Sequence, residues 1–182
     1  MRKVNRENIT MKKLLKYTGI CSFILALIAF ILMLGTNSLV FNYKEGAISV
    51  STSISGTLGI FGGTYTIMGM STTCNATWSA IIAFILILVA MIILLAGFIL
   101  PLLKIHTLDK VAGILNFVAV IALIVAGIFL FIELPCFAGA NGGGDTTGWT
   151  LGAGWIVGGI MCLFAGVVAI LPAAFDFLGK KK

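Results

Sequence analysis

Long uncharged apolar segments constrain this chain more than any other feature. There are four of them, at about 19–41, 78–103, 111–132 and 151–175. An α-helix that crosses about 30 Å of hydrocarbon needs about 20 such residues. We therefore predict an integral membrane protein with four transmembrane helices, in which residues 1–182 form a single domain embedded in a lipid bilayer.

Composition supports a location in lipid. The chain is 60% hydrophobic and 10% charged, whereas soluble domains carry about 25% charged residues. The net charge of +6 is compatible with nucleic-acid binding. However, the charges form short clusters beside the apolar segments, as charges that flank a membrane do. We expect no nucleic-acid partner.

The first apolar segment follows a basic leader, as the core of a signal peptide would. Its core at 20–34 is longer than most signal cores of about 7–15 residues, and GTNS at 35–38 replaces the small-residue cleavage site. We interpret it as an uncleaved anchor. Met11-Lys12-Lys13 looks like a translation start, so residues 1–10 are read as an optional extension or a short surface helix.

Basic residues are distributed asymmetrically between the two ends of the segments. They occupy the N-terminus, the connection at 104–110 and the C-terminus at 180–182, whereas the loops 42–77 and 135–150 contain only Lys44. The positive-inside rule then predicts cytoplasmic termini and two outer loops in a cell-membrane protein. An aromatic belt is expected at the outer ends, formed by Trp78, Trp149 and Trp155.

The first outer loop has the pattern of β-strands. Apolar and polar residues alternate at 48–55 and again at 64–68, which indicates half-buried strands. We predict an all-α membrane fold, a four-helix bundle, with a small antiparallel β-sheet of about three strands formed by this loop. The apolar insert between the strands is either an exposed contact patch or tucked under the sheet; it comprises Leu58, Ile60 and Phe61.

Two cysteines border the outer ends of a helix hairpin. Cys74 precedes the second segment, and Cys136 follows the third. Because a short inner loop joins these segments, their outer ends should be neighbours on the oxidising side of the membrane. We predict a Cys74–Cys136 disulfide, with two free thiols as the alternative.

The second outer loop is glycine-rich and is predicted to be flexible. Asp145 stands among its glycines, like a fragment of a calcium loop. Calcium needs several oxygen ligands, and no repeated acidic residues accompany Asp145. We therefore expect no metal and no cofactor.

Small residues recur every four positions in the fourth segment, which indicates close helix packing. They are Gly154, Gly158, Cys162 and Gly166. The stripe packs either within the bundle or against another subunit. Three polar residues lie in or beside the segments: Asn116, Glu133 and Asp176. Asn116 is expected to bond to a neighbouring helix, whereas the two acids lie near the interfaces, where solvation or a lysine would suffice.

These features favour an interaction protein over an enzyme. Catalysis requires convergent acid–base or nucleophilic groups, and the only histidine, His106, lies in a basic turn. We predict no enzyme and no small-molecule substrate. The segments also lack a polar stripe, so a single subunit could not form a channel through its own bundle. The alternative function is therefore an oligomeric channel or pore-forming subunit. The main prediction is self-association or contact with another membrane protein.

Four spans, a long β-patterned first outer loop and a short second one resemble the claudin and peripheral myelin protein type of tetraspan. GIFGGT at 59–64 and MKKLL at 11–15 also resemble small tetraspans of Gram-positive bacteria and mollicutes. The resemblance implies a structural, adhesive or scaffold role for a homo-oligomer, through lateral or face-to-face contacts. The first outer loop has no tryptophan and only one cysteine, Cys74, so no claudin functional residue is carried over.

Overall fold

The computed structural model describes residues 2–46, 48–67, 69–100, 106–143 and 146–178. Within them, four helices are long and apolar enough to cross a membrane: Tyr17–Gly35, Trp78–Ile99, Gly113–Phe131 and Ala153–Leu171. The prediction of four such helices is therefore confirmed.

The spans belong to helices α1 (Arg2–Gly35), α3 (Trp78–Ile99), α4 (His106–Phe131) and α6 (Ala153–Leu178). Helix α1 packs against α3 and α6, and α4 packs against the same two helices. The buried positions are rich in alanine, including Ala26, Ala29, Ala83, Ala126 and Ala165. Small side chains let the backbones approach closely, which is how helices gain packing contacts in lipid.

The first helix ends earlier than the sequence predicts. It stops at Gly35, and strand β1 (Asn37–Glu45) begins where the apolar segment was expected to continue to 41. The Thr36 hydroxyl donates to the Leu32 carbonyl at 2.6 Å, and Leu39 is fully buried within the sheet. An apolar run alone does not distinguish a buried strand from the end of a helix.

The outer sheet draws strands from both outer loops. Strand β1 pairs antiparallel with β2 (Ile48–Ser55) on one side and with β5 (Trp149–Leu151) on the other. The sequence places the whole sheet in the first loop, and this prediction is wrong for its third strand. The other alternating segment forms a separate hairpin of β3 (Gly63–Ile67) and β4 (Met70–Cys74).

Two short helices lie on the same side of the bundle as the strands. Together with the five strands they form what we call the outer domain, a name that follows the predicted orientation. Helix α2 (Gly56–Phe61) contains the apolar insert, and the Ser55 hydroxyl caps it by accepting from the Leu58 N–H at 3.3 Å. Helix α5 (Glu133–Ala140) occupies part of the loop predicted to be flexible. Asp145 lies outside the described residues.

Candidate functional site

The outer domain is joined to the bundle by backbone hydrogen bonds at glycines. Gly56 N–H donates to the Thr36 carbonyl at 2.8 Å, and Gly152 N–H donates to the Ser38 carbonyl at 2.8 Å. Thr77 N–H, at the start of α3, donates to the Gly59 carbonyl at 3.0 Å. These bonds tie the sheet and α2 to the outer ends of the helices.

A cluster of polar side chains is buried at this junction. We call it the outer polar cluster, and it comprises Ser38, Thr77, Ser79 and Glu133, all with 0% exposure. The Ser79 hydroxyl donates to Glu133 Oε2 at 2.5 Å, and the Ser38 hydroxyl donates to the Ile54 carbonyl at 3.1 Å. Among the described residues, the Thr77 hydroxyl and Glu133 Oε1 have no hydrogen-bond partner. The cluster therefore contains two unsatisfied buried oxygens, an arrangement that is uncommon in native proteins.

Glu133 is the ionisable member of the cluster, and it lies two residues beyond the third span, Gly113–Phe131. Burial raises the pKa of its carboxyl to about 7, against the opposing effects of the Ser79 and Thr77 hydroxyls and the Ala80 N–H. Thr77 is close enough to favour the ionised form, but its geometry does not meet that of a hydrogen bond. The sequence places Glu133 at an interface where solvation would suffice, whereas the structure removes it from water.

Comparisons of the sequence with protein-family models and with curated proteins give no match.

The glycine stripe of the fourth span faces the interior of the bundle. An ideal Cβ on Gly154 would overlap the Thr36 side chain of the segment following α1, and one on Gly166 would lie 2.8 Å from Ile124 of α4. Gly158 lies between α1 and α4: a Cβ there would be 3.6 Å from the Ala29 carbonyl oxygen. Cys162 is fully buried. Of the two alternatives that the sequence leaves open, these contacts support packing within one chain.

Of the other polar residues predicted in the spans, Asn116 has a described side chain, and it lies near the opposite end of α3 from Ser79. Asn116 lies against α3, because an ideal Cβ on Gly97 would be 2.5 Å from Asn116 Oδ1. The side chains of His106 and Asp176 lie outside the part of the chain whose side chains are described. Within the described residues, no three metal-ligating side chains come together.

The predicted disulfide is not formed, and Cys74 and Cys136 are both free thiols. The two segments are neighbours, since Asn75 N–H donates to Asn141 Oδ1 at 2.7 Å. However, Cys74 packs in an apolar cluster with Phe137. Adjacent helical residues point about 100° apart, so α5 directs Phe137 rather than Cys136 towards Cys74.

The apolar insert is divided between core and surface. Ile60 is buried in the main core of the bundle, and Leu58 is partly buried beside the cluster around Cys74. Phe61 is 65% exposed, with its ring set edge-on to Phe84 of α3 at 5.6 Å between centroids. Only Phe61 of this set is available for contact with another molecule.

The free edge of β2 is a feature that sequence reasoning missed. Strand β2 pairs with β1 along its whole length and ends the sheet, with order β2-β1-β5. No described strand pairs with its other edge, although β3 approaches β2 without forming a ladder. Ser49, Ser51 and Ser53 are exposed, and residues 48–55 contain neither charge nor proline. Charged residues and proline protect sheet edges, so their absence from 48–55 is the feature of the sequence that could have indicated an exposed edge strand.

Proposed function

We propose that this chain is a non-enzymatic tetraspan membrane protein that self-associates through the free edge of β2. The observation that supports this is an eight-residue edge strand, Ile48–Ser55, with no protective residue. Proteins usually protect sheet edges with lysine, proline, bulges or a covering element, because unpaired N–H and C=O groups recruit other strands. An edge strand without lysine or proline on an outer domain is suited to strand addition, and the register shift in this sheet lies in β1, opposite Ser55 and Ile54.

The shape of β2 fits pairing with a second copy. Its exposed side chains are small serines at every second position, which would let another strand approach without steric conflict. Pairing with β1 from Ser55 to Ile48 already holds the strand extended, so little conformational entropy remains to be lost on association. Two β2 strands paired antiparallel would make an isologous contact, the type found in two-fold dimers.

The packing of the bundle also favours the sheet as the contact surface, because the small-residue stripe of the fourth span is already covered by its own chain. The small-residue stripe of α6 is occupied by α1 and α4, while large apolar side chains such as Ile92, Phe164 and Val167 face outward, where lipid would surround them. The claudin-like layout also favours an outer-domain contact. We therefore assign association to the sheet rather than to the spans.

Lysines at two exposed positions of β2 test this function. We expect Ser49→Lys/Ser53→Lys to convert the oligomer to a monomer in nanodiscs, or to abolish tethering of protein-bearing vesicles if the contact is face to face. Like charges directly opposite across paired strands are unfavourable. The matched control is Ser71→Lys/Thr73→Lys, which adds the same charge to exposed positions of β4. Strand β4 also has an unpaired edge, but it is only five residues long and belongs to a two-stranded sheet, so this variant should preserve association.

Charge reversal sharpens the test. Ser49→Glu/Ser53→Glu alone should also be monomeric, whereas its mixture with the lysine variant should form a heterodimer, because opposite charges then face each other across the paired strands. Wild-type protein that is monomeric in nanodiscs and does not tether vesicles would contradict the proposal. So would equal loss of association in the β4 control.

We further propose that the protein lies in a bacterial cell membrane with both termini in the cytoplasm, as the basic clusters favour. A cysteine at Gly143, with Cys74 and Cys136 replaced by serine, should react with an impermeant thiol reagent in intact cells. A cysteine at Lys182 in the same background should react only after lysis. The reverse labelling pattern would contradict this orientation, which exposes β2 outside the cell.

A further inference from the structure

We propose that the Glu133 carboxyl is a proton-binding site that holds the outer domain on the helix bundle, and that loss of the proton loosens this junction. The inference does not depend on self-association. It follows from where the carboxyl lies and from how few groups are present to satisfy it.

The hydrogen bonding around Glu133 fits a neutral acid better than a carboxylate. An ionised carboxylate offers about four acceptor positions, and a buried one is costly unless those positions are filled. Among the described residues, only Ser79 donates to this carboxyl, at Oε2, with the geometry of a hydrogen bond. The Thr77 hydroxyl and the Ala80 N–H lie near enough to favour the ionised form, but Oε1 has no hydrogen-bond partner. A protonated carboxyl needs fewer donors, and its own O–H can serve a neighbouring oxygen such as the unpartnered Thr77 hydroxyl.

Within the part of the chain that the structure describes, no counter-charge faces the carboxyl from the elements packed around it. Helices α2 and α3 contain no charged residue, and Glu133 is the only one in α5. Lys44 and Glu45 lie at the exposed far end of β1. Asp109 and Lys110 lie near the opposite end of α4, at least 23 residues away, or roughly 35 Å along a helix. Among the described residues, the remaining titratable groups of the outer domain are weak acids: Tyr43, Tyr65, Cys74 and Cys136. Asp145 of the same domain lies outside the described residues.

The carboxyl lies between the two parts of the molecule that it would couple. On the outer side, an ideal Cβ on Gly59 of α2 would be 3.6 Å from Oε1. On the bundle side, Ser79 belongs to the first turn of α3. Because Thr77 N–H bonds to the Gly59 carbonyl at 3.0 Å, water drawn in by a charge at Glu133 would have to part α2 from α3.

The direction of the pH effect follows from the raised pKa. In the unfolded chain the carboxyl loses its proton near its ordinary pKa of 4.5, whereas the folded protein holds it to about 7. The folded state binds more protons between these values, so stability falls as pH rises through this window. Full stabilisation is present below 4.5 and is lost above 7, a change in the unfolding constant on the order of a hundredfold.

The experiment uses the full chain in nanodiscs and compares wild type with Glu133→Gln and His106→Gln. Wild type and His106→Gln should both lose thermal stability between pH 5 and 8, whereas Glu133→Gln should lose much less. Modification of the buried Cys74 thiol at pH 8 should be faster in wild type than in Glu133→Gln, because the junction then opens more often.

A spectroscopic readout keeps the test decisive if Glu133→Gln does not fold. Infrared spectra of wild type labelled with ¹³C-glutamate should show the C=O stretch of a protonated carboxylic acid at pH 6, and this band should disappear by pH 8.5. Absence of the band at pH 6 would overturn the proposal, since it would mean an ionised carboxylate paired with ordered water. Equal pH dependence of wild type and Glu133→Gln would overturn it as well.

Discussion

Replacing Gly56 with alanine should destabilise the protein by about 3 kcal/mol or more. The new Cβ would overlap the Met33 carbonyl oxygen and lie 2.9 Å from the Met33 carbonyl carbon and 3.0 Å from the Thr36 carbonyl oxygen. All three atoms belong to backbone, which cannot move aside as a flexible side chain can. Relief of the overlap would also break the 2.8 Å hydrogen bond from Gly56 N–H to Thr36.

The matched control for this change is Gly35→Ala, at the last residue of α1, next to the segment that Gly56 of α2 contacts. No atom lies within 4 Å of an ideal Cβ at Gly35, and alanine is the better helix former. In detergent denaturation, we expect the free energy of unfolding of Gly35→Ala to lie within about 1 kcal/mol of the wild-type value. Gly56→Ala should unfold at a much lower denaturant concentration. Equal stability of the two variants would contradict the close approach between α2 and the end of α1.

Replacing Gly158 with leucine should destabilise the chain by about 1–3 kcal/mol through overpacking. The site lies between α1 and α4, with the Ala29 carbonyl oxygen at 3.6 Å and Leu130 Cδ1 at 3.9 Å from an ideal Cβ. A single methyl fits at these distances, so Gly158→Ala should be nearly neutral in thermal unfolding. Val157→Leu, at a neighbouring position that is 41% exposed, is the control for added bulk on the outward face.

The oligomeric state of Gly158→Leu distinguishes overpacking within one chain from loss of a contact between subunits at the fourth span. Gly158→Leu should lower the unfolding temperature while the folded fraction keeps the oligomeric state of wild type, because the stripe contacts its own chain. A folded, fully stable monomer would contradict the observed packing. It would also show that the stripe meets another subunit.

The sequence by itself determined the helical spans and some of the strands. Four uncharged apolar segments must form helices in lipid, because helices satisfy their own backbone hydrogen bonds there. Alternation at 48–55 was sufficient to predict β2, because one face of that strand carries the half-buried and buried residues 50, 52 and 54 and the other carries exposed serines. These features depend on the local sequence pattern and on the surrounding solvent, so each of them can be inferred from its own segment without knowledge of the rest of the fold.

The candidate site was predictable only in part. The sequence singled out Glu133 as an ionisable group beside a span, but it gave no indication of the partners that surround it. Ser38, Thr77 and Ser79 come from the start of β1 and the N-terminal end of α3, and Gly59 comes from α2. Whether a carboxyl is solvated or buried depends on all these segments together, so no single stretch of sequence contained the answer.

Tertiary structure alone decided where the first helix ends, which loop supplies the third strand and which way the small residues face. Residues 39–41 are apolar and could have continued a helix, but their backbone pairs with residues 52–54 on one side and with Trp149–Leu151 on the other. The second of these partners lies more than a hundred residues along the chain. The turn of α5 placed Phe137, not Cys136, against Cys74. A local pattern shows that a residue is small, apolar or reactive, whereas the identity of its neighbour depends on how distant segments pack.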